Sequence, residues 1–335
     1  MNSLGKITIP LVRPDLNRAD LEQFLQQITA KSLTDITLVN RWEEAWQDIW
    51  QRHSVAFADT NELFKNLKKL LNWQSGAEVE TSPLLQPIWR EALLNSWLTP
   101  SRQPLLNDSG QEMWGRQNWI TTNSPVLDLI QHNFGLPAQP ATGRKHCLED
   151  ISAIINPLPT TGFANIQIVA LDGNKMVQGG ATSLVLSTDQ TLISALKKER
   201  KHPPAAGVCA LGLSQLSRVG DLMGRRQQLA DRYLNLYNQN SFTLPPSPKT
   251  GRMWEAFIIQ LPNQQKRQEL QLFLNKAGIG AAPPIWYHIE LDQEESCLNR
   301  LSDHSLALPL YASLSDAEQK KIINRIHRWV DRDST

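Results

Sequence analysis

The sequence lacks most of the features that would place it in a class at sight. Its three cysteines, Cys147, Cys209 and Cys297, are odd in number and show no metal-like spacing, so a reduced, cytoplasmic setting is expected rather than a disulfide framework. It has no excess charge of one sign: 34 basic residues face 33 acidic ones, for a net +1. Such a balance offers no electrostatic pull on nucleic acid or an anionic membrane, and neither partner is expected. No apolar run approaches the roughly 20 residues of a membrane-spanning helix, and the opening MNSLGKITIP has no signal-peptide apolar core. GxGxxG, P-loop, GxSxG and HExxH patterns are all missing. The seven histidines are scattered, none pairing with a cysteine or carboxylate at ligand spacing, so no metal site is expected.

What remains is an ordinary globular composition, 41% apolar and 20% charged over 335 residues, long enough for one large and one smaller domain. The unusual count is eleven tryptophans. Three of them, Trp42, Trp46 and Trp50 in RWEEAWQDIWQ, recur every fourth residue and share one helix face. Their spacing predicts a packing stripe against the core or a subunit, with ligand stacking as the less ordinary use. Apolar periodicity predicts helices near 18–30, 38–52, 60–72 and 84–97. IQIVAL and TSLVLS read as buried strands, QTLISALKKER as an amphipathic helix, and residues 212–239 as one long helix. MWEAFIIQLP reads as a strand and QKRQELQLFLNKAG as a helix ended by glycine. In the C-terminal helix Ser315 is an N-cap, with Glu318 completing a capping box. Strands and helices interleave, which predicts an α/β large domain over 1–240. The proline-rich SFTLPPSPKTG links it to a smaller α+β domain over 241–335.

Two residues stand out chemically. HCLEDISAII sets Glu149 and Asp150 at the end of a short apolar stretch. After another strand, LDGNKMVQGG holds Lys175, with Asp172-Gly173 marking a tight turn before it and Gly179-Gly180 a bend after it. Lys175 reads either as a solvated loop residue or as a catalytic amine. An aspartate and a lysine at neighbouring strand ends are what a pyridoxal phosphate site needs. The amine captures the cofactor aldehyde, and the carboxylate keeps the ring nitrogen protonated.

Eight stretches, in order along the chain, resemble the DegT/DnrJ/EryC1/StrS aminotransferase family. They are ITIPLVRPDLNRADLEQFLQQI, RWEEAWQDIWQRHSVAFADTNELFKNL, HNFGLPAQ, LEDISA, LDGNKMVQGG, ALGLSQLSRVGDLMGRRQQLADRYLNLY, LNKAGIGAAPPIWYH and LALPLYASLSDAEQKKIINRI. The resemblance implies the fold of type I pyridoxal phosphate-dependent transferases: a mostly parallel, seven-stranded α/β domain with a smaller α+β C-terminal domain. It also implies a homodimer with sites at the subunit interface. By the same resemblance Lys175 is the Schiff-base lysine and Asp150 the partner of the pyridinium nitrogen. Thr60 holds the phosphate at a helix N-terminus. The implied substrates are an amino donor such as glutamate and a keto-sugar nucleotide or similar small carbonyl compound. A lysine, where the family's dehydratase branch has histidine, points to transamination.

The chain departs from the family around the cofactor. Ala58-Asp59 replaces a Ser-Gly pair, which places a carboxylate beside a doubly charged phosphate. Ala170 replaces a phosphate-binding serine, and Ala153 a residue that reaches the ring's phenolic oxygen. The run after the lysine reads Gly180 to Ser183 instead of a glycine-rich turn, RKHPPAAGVCA has no counterpart of an asparagine loop, and the ring-stacking position falls on Leu84 or Leu85. Beside the aminotransferase reading stands a second. In it, a degenerate homologue has lost pyridoxal phosphate binding and turnover, and acts as a binding or regulatory partner.

Overall fold

The computed structural model describes residues 6–29, 35–81, 87–96, 98–102, 127–135, 147–154, 164–171, 175–236, 240–245, 252–284 and 302–333. The chain divides into two compact units, Leu16–Gly220 and Met1–Asp15 joined with Asp221–Thr335.

The first unit carries helices α1 (Arg18–Ile28), α2 (Ile36–Trp50), α3 (Thr60–Leu70), α4 (Pro87–Asn95), α5 (Gln190–Glu199) and α6 (Ala206–Leu216). Its strands are β1 (His53–Phe57), β2 (Glu78–Thr81), β3 (Thr99–Arg102), β4 (Leu127–Gln131), β5 (Cys147–Asp150), β6 (Ile166–Ala170) and β7 (Ser183–Ser187). They form one seven-stranded sheet in the order β1-β7-β6-β5-β4-β2-β3. Pairing is parallel from β6 through β3, while β7 runs antiparallel to both of its neighbours. This is the mostly parallel sheet flanked by helices that the α/β reading predicts. LDLIQ and SLVLS are buried along their whole length, because helices cover both faces of such a sheet. Short side chains start the helices. Asp35 accepts from Thr37 N–H at 2.9 Å, and Asp189 from Thr191 N–H at 2.8 Å and Leu192 N–H at 3.1 Å. Asn17 and Asp20 make a reciprocal capping box at the head of α1.

The tryptophan stripe packs inside this unit. Trp42, Trp46 and Trp50 are all buried, and Trp42 meets Trp46 edge to face with ring centres 5.9 Å apart. The long helix expected over 212–239 is two helices, α6 and then α7 (Val219–Leu234). They part at Ser217 and Arg218, where Arg218 N–H bonds back to Gln215 O and its guanidinium turns to the buried carboxylate of Asp20.

In the second unit α7 is followed by β8 (Phe257–Gln260), α8 (Gln264–Lys276), β9 (Ser305–Leu308) and α9 (Asp316–Asp333). β8 and β9 pair antiparallel, Phe257 opposite Leu308. The unit begins at Asp221, inside α7, rather than at 241, and it takes in the first fifteen residues. The cause is backbone pairing. Thr8 and Ile9 donate to Gly278 O at 2.8 and 2.9 Å, and Gly280 N–H returns a bond to Ile9 O at 2.7 Å. Gly278 sits at φ +77, and a Cβ on Gly280 would stand 2.6 Å from Leu11 N, so the close approach needs glycine. Asp15 then accepts from Arg226 and from Ser313 N–H, both at 2.9 Å. The start of the expected linker is also core: Phe242 is buried and Thr243 exchanges backbone bonds with Gln260. At the head of α9, Ser315 Oγ accepts from Glu318 N–H at 3.2 Å while Glu318 accepts from Ser315 N–H at 2.8 Å, the box its spacing predicts. Among the described residues no helix is long and apolar enough to cross a membrane.

Candidate functional site

β1, β5 and β6 run in the same direction, so their carboxyl ends share one edge of the sheet. In open α/β sheets that edge is where ligands bind. Asp150 ends β5, Thr60 opens α3 just after β1, and Lys175 lies in the connection leaving β6. The topology therefore brings all three sequence-chosen residues to one edge of one unit.

Lys175 is 7% exposed, with buried Met176 and Val177 beside it. Its loop is closed at the base: Gly179 N–H bonds Leu171 O at 2.8 Å, Leu171 N–H bonds Thr182 O at 3.1 Å, and Gly180 takes φ +63. That is the bend expected from Gly179-Gly180; Asp172 and Gly173 lie outside the described residues, as do Leu84 and Leu85. Gln215 of α6 clamps the far side, its Oε1 accepting from Gln178 N–H at 3.0 Å and its Nε2 donating to Gln178 O at 3.1 Å. A flexible surface loop would leave these backbone groups to water. Here the groups at Leu171, Gln178, Gly179 and Thr182 are satisfied within the protein, at the base of the loop and on the side that follows the lysine.

Asp150 is buried, and donors on Trp89, Gln131 and Ser152 among the described residues bond to it. Trp89 Nε1 (2.8 Å) and Gln131 Nε2 (3.2 Å) reach Oδ2. Ser152 donates to Oδ1 with both its N–H, at 3.0 Å, and its hydroxyl. Ser152 Oγ in turn accepts from Ala170 N–H at 2.7 Å, joining the aspartate to the last residue of β6. On the other face of β5, Glu149 is equally buried and bonds His132 Nε2 at 3.0 Å and Gln167 Nε2 at 2.9 Å. The two adjacent carboxylates thus serve opposite sides of the sheet.

Thr60 is the first residue of α3 and its hydroxyl lies 2.5 Å from that of Ser183. The helix N-terminus expected to receive an anion is present. It is already capped: Asp59 accepts from Asn61 N–H at 2.9 Å.

Trp89, Gln131, Ser152, Ser183 and Gln215, which bond the candidate residues or the loop holding Lys175, are not marked out by the sequence. The signals are faint. Ser152 two residues after an aspartate is an Asx-turn pattern, and Gln131 is a polar residue ending an apolar strand. Nothing local ties Trp89 to Asp150.

The family model for DegT/DnrJ/EryC1/StrS aminotransferases matches residues 207–327. No curated protein sequence matches the chain. Among solved structures, aminotransferase TlmJ from Streptoalloteichus hindustanus superposes with a TM-score of 0.79 at 14% identity, over 98% of this chain and all of that one. PseC of Helicobacter pylori, an aminotransferase of pseudoaminic acid biosynthesis, gives 0.77 at 18% identity, over 97% of this chain and 99% of that one. NtdA of Bacillus subtilis, solved with bound pyridoxamine phosphate cofactor, gives 0.77 at 15% identity, over 98% and 87%. The described fold is the one these aminotransferases share, and the family model's match takes in the last three of the eight resembling stretches.

Proposed function

We propose that this chain, alike in fold to the sugar aminotransferases and matched over its last third by their family model, is itself a pyridoxal phosphate-dependent aminotransferase. Its substrates would be an amino donor and a keto-sugar nucleotide or similar small carbonyl compound, and its setting a cytoplasmic homodimer. One observation carries the reading. A lysine and an aspartate, both buried and both held by hydrogen-bonded frames, lie at the carboxyl edge of a mostly parallel sheet.

The donor set fits the cofactor. A buried amine suits its aldehyde, a buried carboxylate its ring nitrogen once one of the carboxylate's present donors yields, and the Thr60 and Ser183 hydroxyls at a helix N-terminus its phosphate. Pyridoxal phosphate, when bound, supplies that aldehyde and a ring able to accept electrons. Lys175 Nζ would be the amine that holds the cofactor and the base that moves the substrate carbon's proton. Asp150 would hold the ring nitrogen's proton in place. The Gln215 clamp on Gln178 keeps the lysine's backbone from drifting while Nζ moves.

The test is a visible absorption titration with pyridoxal phosphate, run beside Lys175→Ala. A band of lysine-bound cofactor in the parent only, bleached by an amino donor, is the expected result. A second reading, the homologue that binds without turnover, is favoured by Asp59, whose carboxylate occupies the end of α3 where a phosphate would bring like charge. Absence of any band, in the parent and in variants that keep Lys175, would end the first reading and favour this one.

A further inference from the structure

Asp150 is a fully engaged carboxylate before any ligand reaches it. An ionised carboxyl group offers about four lone-pair positions, and donors on Trp89, Gln131 and Ser152, among the described residues, already occupy that many. The two on Oδ1 are not exchangeable. One is the backbone N–H of Ser152, and the other is the Ser152 hydroxyl, itself fastened by Ala170 N–H. The two on Oδ2 are side chains. Gln131 makes the longer bond at 3.2 Å, and its Oε1 has no partner among the described residues. Trp89 makes the better bond at 2.8 Å and is 0% exposed, tilted against Phe64 with ring centres 5.7 Å apart. Packed in this way the indole cannot turn to another acceptor, so displacing it leaves a buried N–H orphaned.

We infer that Trp89, with Gln131 in second place, competes with the cofactor's ring nitrogen for Oδ2 of Asp150, and that this competition holds pyridoxal phosphate affinity down. Trp89 is a positioning residue here, acting through Asp150 rather than on the substrate. The usual expectation for a buried residue bonded to a binding-site aspartate is that removing it weakens binding. This geometry reverses the sign. Phenylalanine keeps the aromatic packing and deletes the donor, which opens an acceptor position where the ring nitrogen needs one.

The inference rests on Asp150 being the ring-nitrogen partner, so its test separates the two claims. Pyridoxal phosphate is titrated by visible absorbance into the parent, Trp89→Phe and Gln131→Leu, each checked for fold by circular dichroism. Trp89→Phe should bind about tenfold tighter, equivalent to about 1.4 kcal/mol, and Gln131→Leu about threefold tighter. A folded Trp89→Phe that binds equally or more weakly overturns the competition while leaving the parent's binding intact. If Trp89→Phe does not fold, Gln131→Leu decides alone by whether affinity rises. No band in any of the three proteins overturns the aminotransferase reading, and the competition with it.

Discussion

Gly212 in α6 faces the ring of Trp42 in α2. A Cβ at Gly212 would stand 2.1 Å from Cη2, 2.3 Å from Cζ3 and 2.8 Å from Cζ2 of that indole. Carbon atoms in contact prefer about 3.5–4.0 Å, so Gly212→Ala demands a displacement of more than about 1 Å from the ring or the helix. Trp42 is fully buried and held edge-on by Trp46, so neither partner is loose. Two terms oppose. Alanine gains about 0.5–1 kcal/mol over glycine inside a helix, while overpacking a filled core costs about 1–3 kcal/mol. With an overlap this deep the steric term lies at its upper end and wins, leaving a net loss of about 2 kcal/mol. In a unit of this size that lowers the melting temperature by about 4–8 °C. The loss should be partly reversed by Trp42→Phe, which removes the atoms in the way, so the double variant should be less damaged than the sum of the singles by about 1–2 kcal/mol. Thermal and urea unfolding of the four proteins measure this. A neutral or stabilised Gly212→Ala, or additivity within about 0.5 kcal/mol, would refute the packing argument.

Two further outcomes follow from charged and nucleophilic groups. Bonds from Arg232 and Arg225 hold the Asp316 carboxyl down at about 2, from its ordinary 3.8. A folded-state value below the unfolded one stabilises the protein above the ordinary range and loses that contribution as pH falls from 3.8 towards 2. The difference in melting temperature between the parent and Asp316→Asn should therefore shrink across that window, and a constant difference would contradict it. Cys209 is buried in α6 and its thiol is pushed up to about 12, first by burial and then by the nearby Glu43 carboxylate. In native protein near pH 8 it should resist thiol reagents on a peptide-resolved mass measurement and react at once in denaturant; rapid native labelling would show that α6 opens.

Local chemistry was enough for much of this protein. Periodicity located α2, α3, α5 and α9, the spacing of Ser315 and Glu318 named a capping box, and the every-fourth tryptophans announced a buried face. Those features are written in residues a few positions apart, where helix geometry alone sets who meets whom. The placement of Asp150 at a strand end and of Lys175 in the connection after the next strand was legible too, because apolar runs bounded by turn glycines mark where strands stop. Other features needed the tertiary structure. The segment before α1 belongs with the C-terminal unit because Thr8 and Ile9 pair with Gly278 and Gly280, a match no local pattern encodes. The break between α6 and α7 comes with Arg218 turning to an aspartate almost two hundred positions earlier in the chain. What surrounds Asp150 is decided the same way. Trp89, Gln131 and Ser152 come from a helix, a neighbouring strand and a turn, and only folding sets their donors on one carboxylate. Sequence proximity specifies elements and candidate residues; whether a buried acceptor is open or already filled depends on long-range packing.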